Sequence, residues 1–154
     1  MNGTFRNLAL TAVLLSFSVS AYSAGTPLSE GSQPLSETAV FTRQAMDQAN
    51  DATTREAAVN ALLANIENYQ AAKDNKGPYE DNLKARLKAI DSIWSLGEIG
   101  DPRLMSSLAR FYTDADDVIK MNLIISMGKL KNNSKAGPFL LNIAASAQET
   151  EVVR

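Results

Sequence analysis

Residues 96–103 read LGEIGDPR, and an approximate copy of this stretch returns at residues 127–132 as MGKLKN. The similarity extends past the glycines, since Leu108 recurs 32 residues later as Leu140. A period of about 30 residues is typical of stacked helical hairpins, in which packing fixes the helices and the turns absorb insertions. The sequence therefore predicts an all-α fold, an α-solenoid of stacked antiparallel helix hairpins.

The spacing of apolar residues predicts six helices joined by short turns, and no segment shows the sustained alternation of a strand. The predicted helices cover residues 36–49, 54–72, 79–96, 102–112, 118–130 and 135–147. Polar residues that commonly cap helices mark the starts of four of them. These are Ser36, Thr53 with Glu56 in a capping box, Asp101, and either Asp116 or Asp117.

Large apolar side chains indicate which helix faces form the core. The third helix carries a broad apolar stripe made of Leu83, Leu87, Ile90, Ile93 and Trp94. Aromatic residues at helical spacing usually fill the core of a helical stack, so Trp94 and Tyr112 are predicted to be buried. Phe111 lies off the main stripe.

The N-terminus is typical of an exported protein. Arg6 precedes an apolar run that is too short for a stable membrane anchor, and small residues follow it. Residues 1–23 are predicted to be a cleavable signal peptide, cut after Ala21 or Ser23, and residues 24–35 a flexible leader. The helical domain then spans residues 36–154, and we expect a periplasmic or secreted protein without stable membrane insertion.

The composition excludes several classes of chemistry. The chain has no histidine and no cysteine, which removes Ser-His-Asp and Cys-His nucleophiles as well as the usual zinc and copper ligands. The net charge of −2 argues against nucleic acid as the main partner. No cofactor is expected, and without disulfides the stability must come from packing and hydrogen bonds.

One part of the chain resembles the HEAT repeat family, particularly the short bacterial form named after phycobilisome lyases. The glycine turn at residues 94–102 matches the family's A-x-x-A-L-G-x-I-G-D pattern. Leu108 and Tyr112 match the apolar pair of the family's second helix, and residues 114–120 match its acidic turn and the start of its next repeat. The clearest repeats are residues 83–117 and 118–150, although residues 131–133 depart from the pattern in the second. A third unit would begin at residues 152–154, which suggests a truncated array.

The resemblance implies structural roles for several residues. Asp101 and Lys120, and then Asn132 and Arg154, would take the positions of the polar ladder that ties neighbouring repeats together. Gly97 and Gly128 would allow close helix approach and a sharp turn.

Two short patterns have possible chemical meanings. Ser126 and Lys129 form the S-x-x-K signature of penicillin-binding proteins, but the other elements of those enzymes are missing. Asp114, Asp116 and Asp117 could suggest calcium, but their loop lacks the glycine and the distal glutamate of an EF-hand. We expect a chance match in the first case and a capped turn in the second.

A helix face offers a candidate binding surface. Solenoids bind partners on the concave face formed by the second helix of each hairpin. Arg103, Ser107 and Arg110 share one face of the fourth helix. Lys135, Phe139 and Asn142 occupy the matching positions of the sixth helix. This partly basic strip could receive an acidic or polar segment of a protein partner.

The favoured function is a non-catalytic protein-binding or assembly scaffold of the periplasm. One alternative is an enzyme or enzyme subunit related to the HEAT-like lyases and iron-dependent hydroxylases. Those hydroxylases hold iron through histidine and glutamate, and this chain has no histidine. The other alternative is a helical bundle that associates with itself through residues 134–154.

Overall fold

The computed structural model describes residues 35–74, 77–146, 148–151 and 153. The predicted signal peptide and almost all of the predicted leader lie outside the described residues, as do Val152 and Arg154. The described part of the chain is entirely helical and contains no strand, so the all-α class is confirmed.

The described residues form six α-helices and one short 3₁₀ turn. The helices are α1 Glu37–Met46, α2 Ala52–Asp74, α3 Tyr79–Ile99, α4 Met105–Thr113, α5 Asp117–Lys129 and α6 Ala136–Ala145. The 3₁₀ turn, Pro102–Leu104, leads directly into α4. None of these helices combines the length and the apolar character needed to cross a membrane.

Three of the predicted caps are confirmed. The Ser36 hydroxyl accepts the Ala39 amide at 3.2 Å at the start of α1. Asp101 caps the 3₁₀ turn by accepting the Arg103 amide at 2.8 Å. At the start of α5, Asp116 rather than Asp117 accepts two backbone amides.

The predicted capping box at the start of α2 is wrong. The helix begins at Ala52, so Thr53 already lies in its first turn. The Asp51 carboxylate accepts the Thr54 amide at 2.7 Å and the Thr54 hydroxyl at 3.0 Å. Asp51 directly precedes the helix and accepts the amide of its third residue, so Asp51 and not Thr53 is the N-cap.

The helix α3 lies at the centre of the described fold. It packs against α1, α2 and α5, so the odd-numbered helices contact one another in succession. Further packing joins α1 to α2, α4 to α5 and α5 to α6. The hydrophobic core runs through these contacts, with Leu62, Ile93, Leu108, Leu123 and Met127 almost completely buried.

A glycine brings α3 close to α5. Gly97 is buried, and a Cβ atom added there would lie 3.0 Å from the Cα of Ser126. The Ser126 hydroxyl donates to the Ile93 carbonyl at 2.8 Å, and Trp94 Nε1 donates to Asn122 Oδ1 at 2.6 Å. The role of Gly97 in close helix approach is therefore confirmed.

The prediction that Gly128 allows a close helix approach is wrong within the described part of the chain. Gly128 is exposed, and an added Cβ atom would meet nothing within 4 Å. The reason is its place on α5, where it faces away from α3.

The turns that follow α3 and α5 are hydrogen-bonded to each other. The Lys131 amide donates to the Gly100 carbonyl at 3.1 Å. Asn133 Nδ2 donates to the Pro102 carbonyl at 2.7 Å. Gly100 adopts φ +66°, a left-handed conformation that glycine takes without steric cost and that ends α3.

Asp101 and Lys120 do not form the predicted polar ladder, whereas the part of the ladder assigned to Asn132 and Arg154 is untested because Arg154 lies outside the described residues. Asp101 binds Arg103 in its own turn, and Lys120 binds Glu149. Turn-to-turn contact runs instead through backbone groups and Asn133. The reason is local: the Arg103 guanidinium lies within reach of Asp101, and the segment after α6 brings Glu149 to Lys120.

Some predicted core positions are exposed. Leu87 is 54 % exposed and Leu83 39 %, because the buried stripe of α3 consists of Ala89, Ile93 and Leu96. Trp94 is also 39 % exposed, and Lys129 Nζ lies over its ring at 4.4 Å. The predicted burial of Tyr112 is confirmed. Phe111 is fully buried as well, despite its position off the main stripe.

Candidate functional site

The six predicted surface residues lie on the 3₁₀ turn, on α4 and around α6. Arg103 is fully exposed at the turn, and Arg110 is exposed at the end of α4 with Ser107 half-buried between them. Lys135 is exposed just before α6, and Asn142 is exposed on it. The structure gives these residues different environments, and two of them line a common groove.

Arg103 is held by the turn that presents it. Its guanidinium binds both oxygens of Asp101, with Nη2 at 2.6 Å from Oδ2 and Nε at 3.1 Å from Oδ1. The side-chain hydrogen bond from Arg103 holds the pKa of Asp101 below its usual value. A bidentate pair fixes the plane of the guanidinium, so the turn presents Arg103 in a defined orientation.

A first groove of about 430 Å³ lies between α2, the end of α3 and the 3₁₀ turn. Its wall carries both charged and apolar side chains. The charged ones are Arg55, Glu56, Asp101 and Arg103, and the apolar ones include Val59 and Leu63. Arg55 is half-buried, and its Nε atom is buried without an acceptor among the described residues. We call this the α2 groove.

A second groove of about 280 Å³ lies on the other side of Arg103. Its walls come from residues 102–106 and from the turn at residues 132–135. Lys135 lines it, is exposed, and has no described acidic partner. This α6 groove brings Arg103 and Lys135 to one surface, so Arg103 lies where the two grooves meet.

The other four predicted residues do not line these grooves. Arg110 forms a 2.7 Å ion pair with Glu67 on α2 and stacks over the Phe111 ring. Phe139 packs edge-to-face on Tyr112 at a centroid distance of 5.7 Å and belongs to the margin of the core. Arg110 therefore carries a compensated charge, and Phe139 has a structural contact.

A cluster centred on Asp116 joins three helices. The Tyr69 hydroxyl of α2 donates to Asp116 Oδ2 at 2.6 Å, and Arg86 Nη2 of α3 donates to Oδ1 at 2.7 Å. Burial opposes ionisation of Asp116, but the hydrogen bonds from Tyr69 and Arg86 outweigh it and hold its pKa below the usual value. Burial, with the bond to Asp116, raises the pKa of Tyr69 to about 12.

A second cluster, centred on Glu149, has the same components. Lys120 of α5 donates to Glu149 Oε2 at 2.8 Å and lies over the Tyr112 ring of α4 at 5.0 Å. The bond from Lys120 lowers the pKa of Glu149. The Tyr112 hydroxyl is buried without a hydrogen bond among the described residues, and that burial together with Glu149 raises its pKa.

Neither short motif forms a catalytic or metal centre. The Ser126 hydroxyl is buried and donates to the Ile93 carbonyl, whereas Lys129 pairs with Glu98. A serine nucleophile needs its proton directed at the base, so this pair is not arranged for catalysis. Asp116 is saturated by its cluster, and no described group of three acidic side chains is placed to hold a metal ion.

Sequence patterns missed Arg55 and both clusters. Arg55 lies in the first turn of α2, where charged residues are common and carry no special signal. The clusters could have been suspected from their order, because each has a tyrosine, then a basic residue, then an acidic residue along the chain.

No protein-family model, curated protein or solved structure matches the chain. Its function must therefore be argued from the two grooves and the two clusters.

Proposed function

We propose that this protein is a HEAT-like α-solenoid that acts as a non-catalytic, protein-binding scaffold in the periplasm. The Asp116 and Glu149 clusters support the repeat architecture. In each, a cation from one helix binds a carboxylate beyond the helix, and a tyrosine of the preceding helix lies beside that pair: Tyr69 donates to Asp116, and the Tyr112 ring lies under Lys120. Contacts between neighbours that recur along the chain are typical of solenoids.

The binding site that we propose is the pair of grooves that meet at Arg103. This meeting point is the single observation that carries the proposal, because Arg103 lines both grooves, of which one also presents Arg55 and the other Lys135. Arg55 and Lys135 have no described acidic partner, and Lys135 is exposed, so a ligand could supply its acceptor. An extended acidic segment of a protein partner has the matching chemistry.

The predicted export of the protein is a further support for the proposal. The signal peptide predicted for residues 1–23 supports a periplasmic site of action, and the lack of cysteine fits a protein that needs no disulfide there. The partner is then expected among exported proteins or among the exposed parts of membrane proteins.

Site-specific photo-crosslinking tests the proposal directly. A photoreactive residue placed at Ser106, in the wall of the α6 groove, is expected to give a discrete adduct with a periplasmic protein. The same residue at Lys84, an exposed position on α3, serves as the matched control. Equal adducts at both positions would count against a partner site at Arg103.

Charge reversal provides the quantitative prediction. We expect Arg103→Glu with Lys135→Glu to reduce the Ser106 adduct at least about tenfold, because the two carboxylates introduced into the groove would repel the acidic segment. Circular dichroism should be unchanged, since both side chains are exposed. The control pair Arg43→Glu with Lys84→Glu makes the same change in net charge at two other exposed positions and should leave the adduct intact. If both pairs reduce it equally, net charge and not this surface is responsible.

A further inference from the structure

An unpartnered apolar stripe runs along α5. Val118 is 41 % exposed, and Met121 and Ile125 are each 39 % exposed. Together with Gly128 they are spaced three, four and three residues apart, which places them on one face of a helix. We call these four residues the α5 stripe.

The corresponding positions of α3 already bind a helix. Trp94 and Gly97 lie 31 residues before Ile125 and Gly128, and α5 packs against them. There Gly97 lets Ser126 approach so closely that an added Cβ atom would lie only 3.0 Å away. On α5 the equivalent Gly128 meets no described atom within 4 Å, so the same kind of surface is left uncovered.

The charges at the two ends of α5 favour an antiparallel helix as its occupant. Asp117 is exposed in the first turn, and Lys131, which has no described acidic partner, is exposed just beyond the last turn. A copy of α5 running in the opposite direction would place each acidic start beside a basic end. The helix dipoles would then be opposed as well, which is favourable.

We propose that the α5 stripe binds the α5 stripe of a second copy of this chain about a two-fold axis. Val118 of one copy then faces Gly128 of the other, and Met121 faces Ile125. A two-fold pair of this kind closes on itself and is the commonest form of homo-oligomer. This inference is independent of the Arg103 grooves, so either proposal can fail without the other.

Sedimentation velocity over a range of concentrations tests the dimer. We expect the purified chain to dimerise, and Ile125→Glu and Gly128→Arg each to raise the dissociation constant at least about tenfold. Gly128→Arg is the informative variant, because the open space at Gly128 admits a side chain without a clash inside the chain. Leu141→Glu on α6, where Leu141 is 71 % exposed, is the control that should leave dimerisation unchanged. A monomer at all concentrations, or a dimer that survives both stripe variants, would overturn the proposal.

Cysteine cross-linking tests the orientation, and the chain has no cysteine to interfere. Mixing Met121→Cys chains with Ile125→Cys chains should give more disulfide-linked dimer than either variant alone, since only opposed positions come within bonding distance. More dimer from either variant alone would indicate parallel helices. A dominant link between Ile125→Cys and Val40→Cys on α1 would indicate head-to-tail stacking. Each of these two results contradicts the antiparallel pair.

Discussion

Replacing Gly97 with alanine should lower the free energy of unfolding, because the usual cost of overpacking, about 1–3 kcal/mol, exceeds the gain of up to ~1 kcal/mol in helix propensity. The new methyl group would lie 3.0 Å from the Cα of Ser126, which is backbone and cannot swing aside. The helices α3 and α5 would have to separate, which would stretch the hydrogen bond from Ser126 to Ile93. Urea denaturation followed by the fluorescence of Trp94, the single tryptophan, reports directly on this contact.

Gly128→Ala is the matched control because it makes the same chemical change in a helix 31 residues further along the chain. No described atom lies within 4 Å of the added methyl, so only the higher helix propensity of alanine remains. At concentrations where the chain is monomeric, this variant should gain up to ~1 kcal/mol of stability. Similar effects of the two substitutions would contradict the close α3–α5 approach at Gly97.

Local signals made most of the helix framework predictable from sequence. The stretch at residues 96–103 ends α3 at Gly100 and starts the next turn at Asp101, and both events depend on neighbouring residues only. Asp116 likewise caps α5 through amides two and three residues away. The capping box at Thr53 failed because Asp51, a better-placed cap, precedes it.

Burial was less predictable because it depends on which helix covers which face. In the sequence, Leu83 and Leu87 continue the apolar stripe of α3, but none of the described helices buries them. Trp94 lies at the edge of the α3–α5 contact, where its indole nitrogen binds Asn122 and its ring stays partly exposed. A single sequence carries no record of such tertiary neighbours.

The candidate site was predicted only in part. The repeat offset placed Arg103 and Lys135 on matching positions, and the structure brings both to the α6 groove. Arg110 shares the face of Arg103 along α4, but Glu67 of α2 compensates its charge. Ion pairs between distant segments decide which cations remain available, and helical spacing does not reveal them.

The Asp116 cluster supports the second large prediction. Asp116→Ala should lower the free energy of unfolding at neutral pH by about 2–4 kcal/mol. The lost helix cap accounts for about 1 kcal/mol, and the Tyr69 hydroxyl left without its acceptor accounts for about 1–3 kcal/mol. The ion pair with Arg86 adds little, because both side chains are about one third exposed. Asp114→Ala, in the same acidic turn but exposed and without a described side-chain bond, should change stability by less than about 0.5 kcal/mol.

The pH dependence of the free energy of unfolding distinguishes the contribution of the Asp116 charge from that of its packing. Its pKa in the folded state lies below the usual 3.8, so the ionised carboxylate contributes its full stability above that value. The contribution is lost as the pH falls below 3.8 and through the folded-state pKa, because the unfolded chain then binds the proton first. Chemical denaturation of the wild type and of Asp116→Asn should therefore give a difference that is constant near neutrality and shrinks in acid. A difference that does not change between pH 7 and pH 3 would mean that packing, and not the charge that Tyr69 and Arg86 hold, is what Asp116 supplies.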